Sequence, residues 1–150
     1  MDAFALLKAD HEKVAGMLET IENTTDRALK GREEVFAQLK EELDLHARIE
    51  EEIFYPALEE MEETREIALE AYEEHLLVKQ LLGELQAEPK DTEEWTAKFT
   101  VLKESIEHHV EEEEGEMFKK ARRVLSQEEI EELGARMEKA KGEQKAAAAQ

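Results

Sequence analysis

The chain has 150 residues, 40 of them acidic and 20 basic, for a formal charge of −20, with no cysteine and only two prolines. This length is that of one domain with a real core, the charge opposes binding to nucleic acid or an anionic membrane, and the missing thiols exclude disulfides, thiolate metal sites and thiol catalysis. No stretch approaches the roughly 18 apolar residues of a membrane span, and the N-terminus has no signal-peptide pattern, so a soluble, cytoplasmic protein is expected.

Abundant Glu, Lys, Ala and Leu favour helix throughout. In the first helix the apolar series Phe4, Leu7, Val14, Leu18, Ile21 steps by three and four, and His11 fills its gap. The helix should fade near Asn23-Thr24-Thr25. A second helix carries Val35, Leu39 and Leu43, then His46 and Glu50, then Ile53 and Ala57 on one seam. Pro56 should bend or loosen its last turn, and it should end near Glu60.

The third helix spans about Thr64 to Ala87, with Ala68, Ala71, Val78, Leu82 and Leu85 on a seam that His75 completes. Asp91 with Glu94 reads as a capping box opening the fourth. That helix carries Trp95, Phe99, Leu102 and Ile106, then His109, Glu113 and Met117. His108 and Glu112 lie about 100° off this seam. Ser126 with Glu129 is a further capping box, starting a shorter helix through Ile130, Leu133 and Met137, followed by an Ala-rich tail from Lys141 to Gln150 that is expected to fray.

The segment from His46 to Pro56 repeats the chemistry of His109 to Lys119: His46 matches His109, Glu50 matches Glu113, and Tyr55 matches Phe118. A histidine and a glutamate four apart share one helix face. The first and third helices also match, His11 to His75 and Leu18 to Leu82. Short connections predict an all-α, up-down-up-down four-helix bundle over residues 1–125, with the short fifth C-terminal helix and tail over 126–150. Antiparallel packing then brings His11, His46, Glu50, His75, His109 and Glu113 to one level, because each lies about ten residues, or ~15 Å, from the corresponding helix end.

A buried unpaired charge costs several kcal/mol in a fold stable by only about 5–15 kcal/mol, so six ionisable groups inside an apolar seam call for a compensating cation. Imidazole and carboxylate suit iron, manganese or zinc, and two carboxylates from opposite helices can bridge two ions.

In its order H, HxxxE, H, HxxxE, carried by His11, His46/Glu50, His75 and His109/Glu113, the chain from Met1 to about Leu125 resembles the hemerythrin-like (HHE cation-binding) family in its bacterial single-domain form. That resemblance implies a non-haem centre of two iron ions with a bridging oxo or hydroxo group. The four histidines would be terminal ligands, paired His11 with His46 and His75 with His109, and Glu50 and Glu113 would be bridges. Two positions depart from the oxygen-carrying members: Lys79 stands in place of a further histidine, and the residue after Glu113 is glutamate instead of aspartate. Lys119 replaces the proline that matches Pro56, which should alter a helix end and leave the ligands intact.

Other residues read as follows. Tyr55 lies off the Glu50 face of an ideal helix, though Pro56 could turn it inward as an oxygen ligand. Tyr72 reads as a core-edge residue or a donor to the site, Trp95 and Met117 as packing, His108 as solvated. The runs 50–52 and 111–114 read as solvated faces with one inward residue each.

Three functions compete: binding or sensing of O2 or NO; disproportionation or reduction of peroxide with carboxylates shuttling protons; and an iron buffer or structural module. Storage chemistry of the ferritin kind needs Glu-x-x-His on two helices, and zinc peptidase chemistry needs His-Glu-x-x-His; neither motif is present. The partners expected are thus a small ligand (O2, NO or peroxide) and, for a sensor, a separate redox or signalling protein.

Overall fold

The Asp2 carboxylate accepts the Ala5 backbone N–H at 2.9 Å and so caps α1, Ala3–Glu22. The structure, a computed structural model, describes residues 1–25 and 27–148. Helix α2, Leu29–Ile49, widens into a π-helical turn at Glu50–Phe54 and resumes as α3, Tyr55–Glu59. Helix α4 covers Glu62–Ala87. Helix α5, Glu93–Glu112, likewise widens at Glu113–Met117 and resumes as α6, Phe118–Val124. Helix α7, Gln127–Ala148, completes five helical rods among the described residues.

The first four rods form a closed ring in which α1 and α4 each pack between α2 and α5. Their seams bury two apolar clusters. One gathers Val14, Leu18, Phe36, Leu39, Leu82, Trp95 and Phe99. The other gathers Phe4, Leu7, Phe54, Tyr55, Leu58, Phe118 and Met117, with Ile130, Leu133 and Met137 of α7. The six ionisable seam residues lie between them. Trp95 and Met117 pack as expected: the indole donates Nε1–H to the Leu85 carbonyl at 2.9 Å and stacks on Phe99, and Met117 is 2% exposed.

Four local expectations change. The cap of α5 is Thr92, whose hydroxyl accepts the Trp95 N–H at 3.1 Å, and not Asp91. After Glu50 the buried seam runs through Phe54 and Leu58, leaving Ile53 and Ala57 only partly covered. The reason is the π turn, which inserts one residue and delays the inward face by one position. Upstream, Phe36 is the deeply buried residue and Val35 only flanks it. Lastly, the helix that begins with the Ser126/Glu129 capping box (Glu129 N–H to Ser126 Oγ, 3.1 Å; Ser126 N–H to Glu129 Oε1, 2.9 Å) is not short. It stays helical to Ala148, where the sequence suggested a frayed tail; Ala149 and Gln150 lie outside the described residues. Its first half docks on α1, where Gly134 sits directly against the backbone of Met1–Ala3.

Candidate metal centre

All six residues expected on the seam converge. The inner nitrogens of the histidines face the two glutamates: His46 Nε2 lies 3.0 Å and His75 Nε2 3.1 Å from Glu50 Oε1. Across the centre, His11 Nε2 lies 3.2 Å from Glu113 Oε1 and His109 Nε2 3.4 Å from Glu113 Oε2. Each glutamate thus touches one histidine from each half of the repeat. The ring centroids of His11 and His46 are 5.0 Å apart, as are those of His75 and His109. Two sets of donor atoms, each within 4.8 Å of one another, follow the same division: His11, His46, Glu50 and Glu113 in one, Glu50, His75 and His109 in the other. Both glutamates are at most 1% exposed.

Each outer nitrogen has a carboxylate of its own, always from a neighbouring helix. Nδ1–H of His11 donates to Glu114 at 2.6 Å, that of His46 to Asp10 at 3.0 Å, that of His75 to Glu51 at 2.8 Å, and that of His109 to Glu74 at 2.7 Å. This fixes the tautomer and aims every Nε2 lone pair inward, as carboxylate–histidine pairs do around metals. Sequence reading missed these four acids and assigned Glu51 and Glu114 to solvated faces. A signal was present: each is the direct neighbour of a seam residue, and the repeat preserves an acid before His11 and His75 and after Glu50 and Glu113.

Inside this shell, His11 Nε2, His46 Nε2, both oxygens of Glu50 and Oε1 of Glu113 are buried without a hydrogen-bond partner. Lone pairs facing lone pairs repel, and buried polar atoms are seldom left unmatched. Only protons or cations can sit between them, and a nitrogen- and oxygen-donor set of this kind fits divalent transition metals. When protons fill that role, the imidazoles titrate high. Burial lowers the His109 pKa, but hydrogen bonds to Glu113 and Glu74 outweigh it and hold it up at about 10. Burial likewise opposes the charged form of His46, and the Glu50 charge with the Asp10 hydrogen bond raises its pKa well above the usual value. Glu50 resists burial in turn and is held well below the carboxylate range by His46 and its other hydrogen-bond partners.

Tyr55 does turn inward. Its hydroxyl donates to Glu113 Oε2 at 2.6 Å and lies 3.2 Å from Nε2 of both His75 and His109. The π turn places it there: its N–H bonds the Glu50 carbonyl five residues back, putting Tyr55 on the Glu50 face. The proline is not the cause, because the second copy makes the same turn with Lys119 in place of Pro56. Burial and the charges of Glu50 and Glu113 push the phenol pKa well up, so it stays a neutral donor. Tyr72 packs on the Tyr55 ring and donates to Glu59 at 3.1 Å, at the core edge.

Off the seam, the His108 side chain is 72% exposed and lies near Glu112, at 3.5 Å, and Glu74. Lys79 is exposed. It does line a cleft of about 390 Å³ that reaches the four histidines past Val14, Leu43, Val78, Leu82 and Ile106. No described helix is long and apolar enough to cross a membrane.

Comparison with known proteins identifies the family. A DNA nickase of Nostoc sp. is 27% identical over 139 residues, which is 91% of this chain but 38% of the nickase. An uncharacterized protein of Mycobacterium tuberculosis, Rv2633c, is 28% identical over 138 residues, covering 91% of this chain and 83% of its own length. The crystal structure of its homologue from Mycobacterium kansasii, a hemerythrin HHE cation binding domain-containing protein, superposes with a TM-score of 0.81 at 30% identity, covering 95% of this chain and 89% of that one. Residues 2–121 match the family model of the hemerythrin HHE cation binding domain, and the chain belongs to that family of helical, metal-binding proteins.

Proposed function

We propose that the chain is a non-haem di-iron protein whose centre binds or senses a small ligand, O2 or NO. The observation that carries this is the inward-facing donor set: four Nε2 atoms and two shared carboxylates, each imidazole backed by its own acid. His11 and His46 would hold one ion, His75 and His109 the other, with Glu50 and Glu113 between them. The ions would supply reversible redox chemistry and open coordination positions. A set with four neutral nitrogens to two carboxylates favours the reduced ions. The cleft, walled in part by Val14, Leu43, Val78, Leu82 and Ile106, would give a diatomic ligand a path to the centre.

One observation favours a second reading, peroxide disproportionation or reduction. The Tyr55 hydroxyl is a buried, neutral proton donor beside both His75 and His109. Turned from Glu113, that hydroxyl would offer a hydrogen bond to peroxide while keeping its proton. The nickase's activity does not carry over, because this chain matches 38% of that protein and its own charge of −20 repels DNA.

Elemental analysis joined to visible spectra under O2, NO and hydrogen peroxide tests both readings. Two irons per chain with a stable, reversible adduct support binding; two irons with sustained oxygen evolution from peroxide support turnover. Fewer than two tightly bound ions would refute the di-iron centre.

A further inference from the structure

The four acids behind the histidines are not equivalent. The side chains of Glu51, Glu74 and Glu114 are 41%, 30% and 33% exposed, so water satisfies their remaining lone pairs. Asp10 is 7% exposed and needs a second partner within the protein. Lys141 of α7 supplies it: its ammonium donates to Asp10 Oδ1 while Oδ2 receives His46 Nδ1–H. Lys141 reaches Asp10 because α7 lies along α1. Gly134 abuts the backbone of Met1–Ala3, and Lys141, two turns further on, presents the same face beside Asp10. Glu74, which occupies the matching place in the other half, has no lysine or arginine partner among the described residues. The family match ends at residue 121, before α7 begins.

We propose that Lys141 is a positioning residue for the metal centre: by neutralising and orienting Asp10 it fixes His46, and so makes the cation position on His11 and His46 the tighter of the two. This rests on the two-ion reading given above. Partner carboxylates of ligating histidines typically govern metal affinity by 10–100-fold, and an acid buried without its cation would turn away from His46 toward water.

The test is anaerobic titration of the metal-free full chain with Fe2+ alone, followed by calorimetry. The unaltered chain should bind two ions in two resolved steps. Lys141→Met and Lys141→Gln should weaken the tighter step by about 10-fold or more and leave the weaker step in place. Lys141→Arg should restore most of the loss, and Lys145→Met, one turn further along α7, should change neither step. Circular dichroism melts on the same samples identify any variant that fails to fold, and two neutral replacements guard against that. Unchanged steps in both neutral variants, or equal weakening of both steps, would overturn the proposal. An unaltered chain that binds fewer than two ions would overturn the two-ion reading, and this inference with it.

Discussion

Replacing His109 by Ala should cost both metal and stability, while replacing its neighbour His108 should cost neither. His109 is 8% exposed, faces Glu113 with one nitrogen and donates to Glu74 with the other. Without it Glu113 keeps the 2.6 Å Tyr55 hydrogen bond and the His11 contact but loses one of its counter-charges in the interior. Breaking a buried pair costs about 3–5 kcal/mol, and the surviving partners put this case near the lower end. In a chain of this length ~3 kcal/mol lowers the melting temperature by about 6–12 °C. His108, 72% exposed, should stay within about 0.5 kcal/mol of the unaltered chain. The second position would also lose one of its two imidazoles, so bound iron should fall from two to one or fewer in His109→Ala and Glu113→Ala. Metal analysis after desalting, with thermal melts of chelator-treated protein, measures both effects. If His108→Ala or Glu112→Ala released as much iron, the assignment of the inward face would be wrong.

Acidity should move the two states of the protein in opposite directions. In the metal-free fold the His109 pKa lies at about 10 against 6.5 for a free imidazole, so its contribution is full below pH 6.5 and is lost as pH rises through 10. Melting temperature of the chelated chain should therefore fall between pH 7 and 9.5, at up to about 1.4 kcal/mol per pH unit for one proton. The iron-loaded chain, whose imidazoles are already deprotonated, should hold its melting temperature there and instead release metal in acid. A chelated chain with a flat profile would contradict the ion pairs. Tyr55→Phe removes the donor to Glu113 and should destabilise the metal-free chain by about 1–3 kcal/mol. It should also slow any peroxide turnover while leaving two irons bound; iron loss in this variant would instead make the hydroxyl a ligand. Gly134→Ala drives a Cβ into the Met1 carbonyl oxygen, so α7 must lift from α1, at about 1–3 kcal/mol by thermal melting. A neutral substitution would mean that the two helices are not so closely packed.

The sequence by itself determined the helices and the six residues that converge between them, His11, His46, Glu50, His75, His109 and Glu113. A histidine interrupting an apolar three-and-four series, as His11 does between Leu7 and Val14, is visible because helical periodicity is local, and the repeat of His46/Glu50 in His109/Glu113 made the pattern hard to mistake. The Ser126/Glu129 box was legible for the same reason: both partners lie within one turn. Only the tertiary structure decided what reaches across. The hydrogen bonds that Asp10 accepts from His46, Glu51 from His75, Glu74 from His109 and Glu114 from His11 join different helices, and depend on rotations and registers set by packing. The π turns at Glu50–Phe54 and Glu113–Met117 shift the seam by one residue, and with it bring Tyr55 into the centre. Nor does the Ala-rich composition of residues 141–148 reveal that α7 runs on far enough along α1 to carry Lys141 to Asp10. Periodicity fixes which face a side chain takes on its own helix; its partners are fixed only when the helices meet.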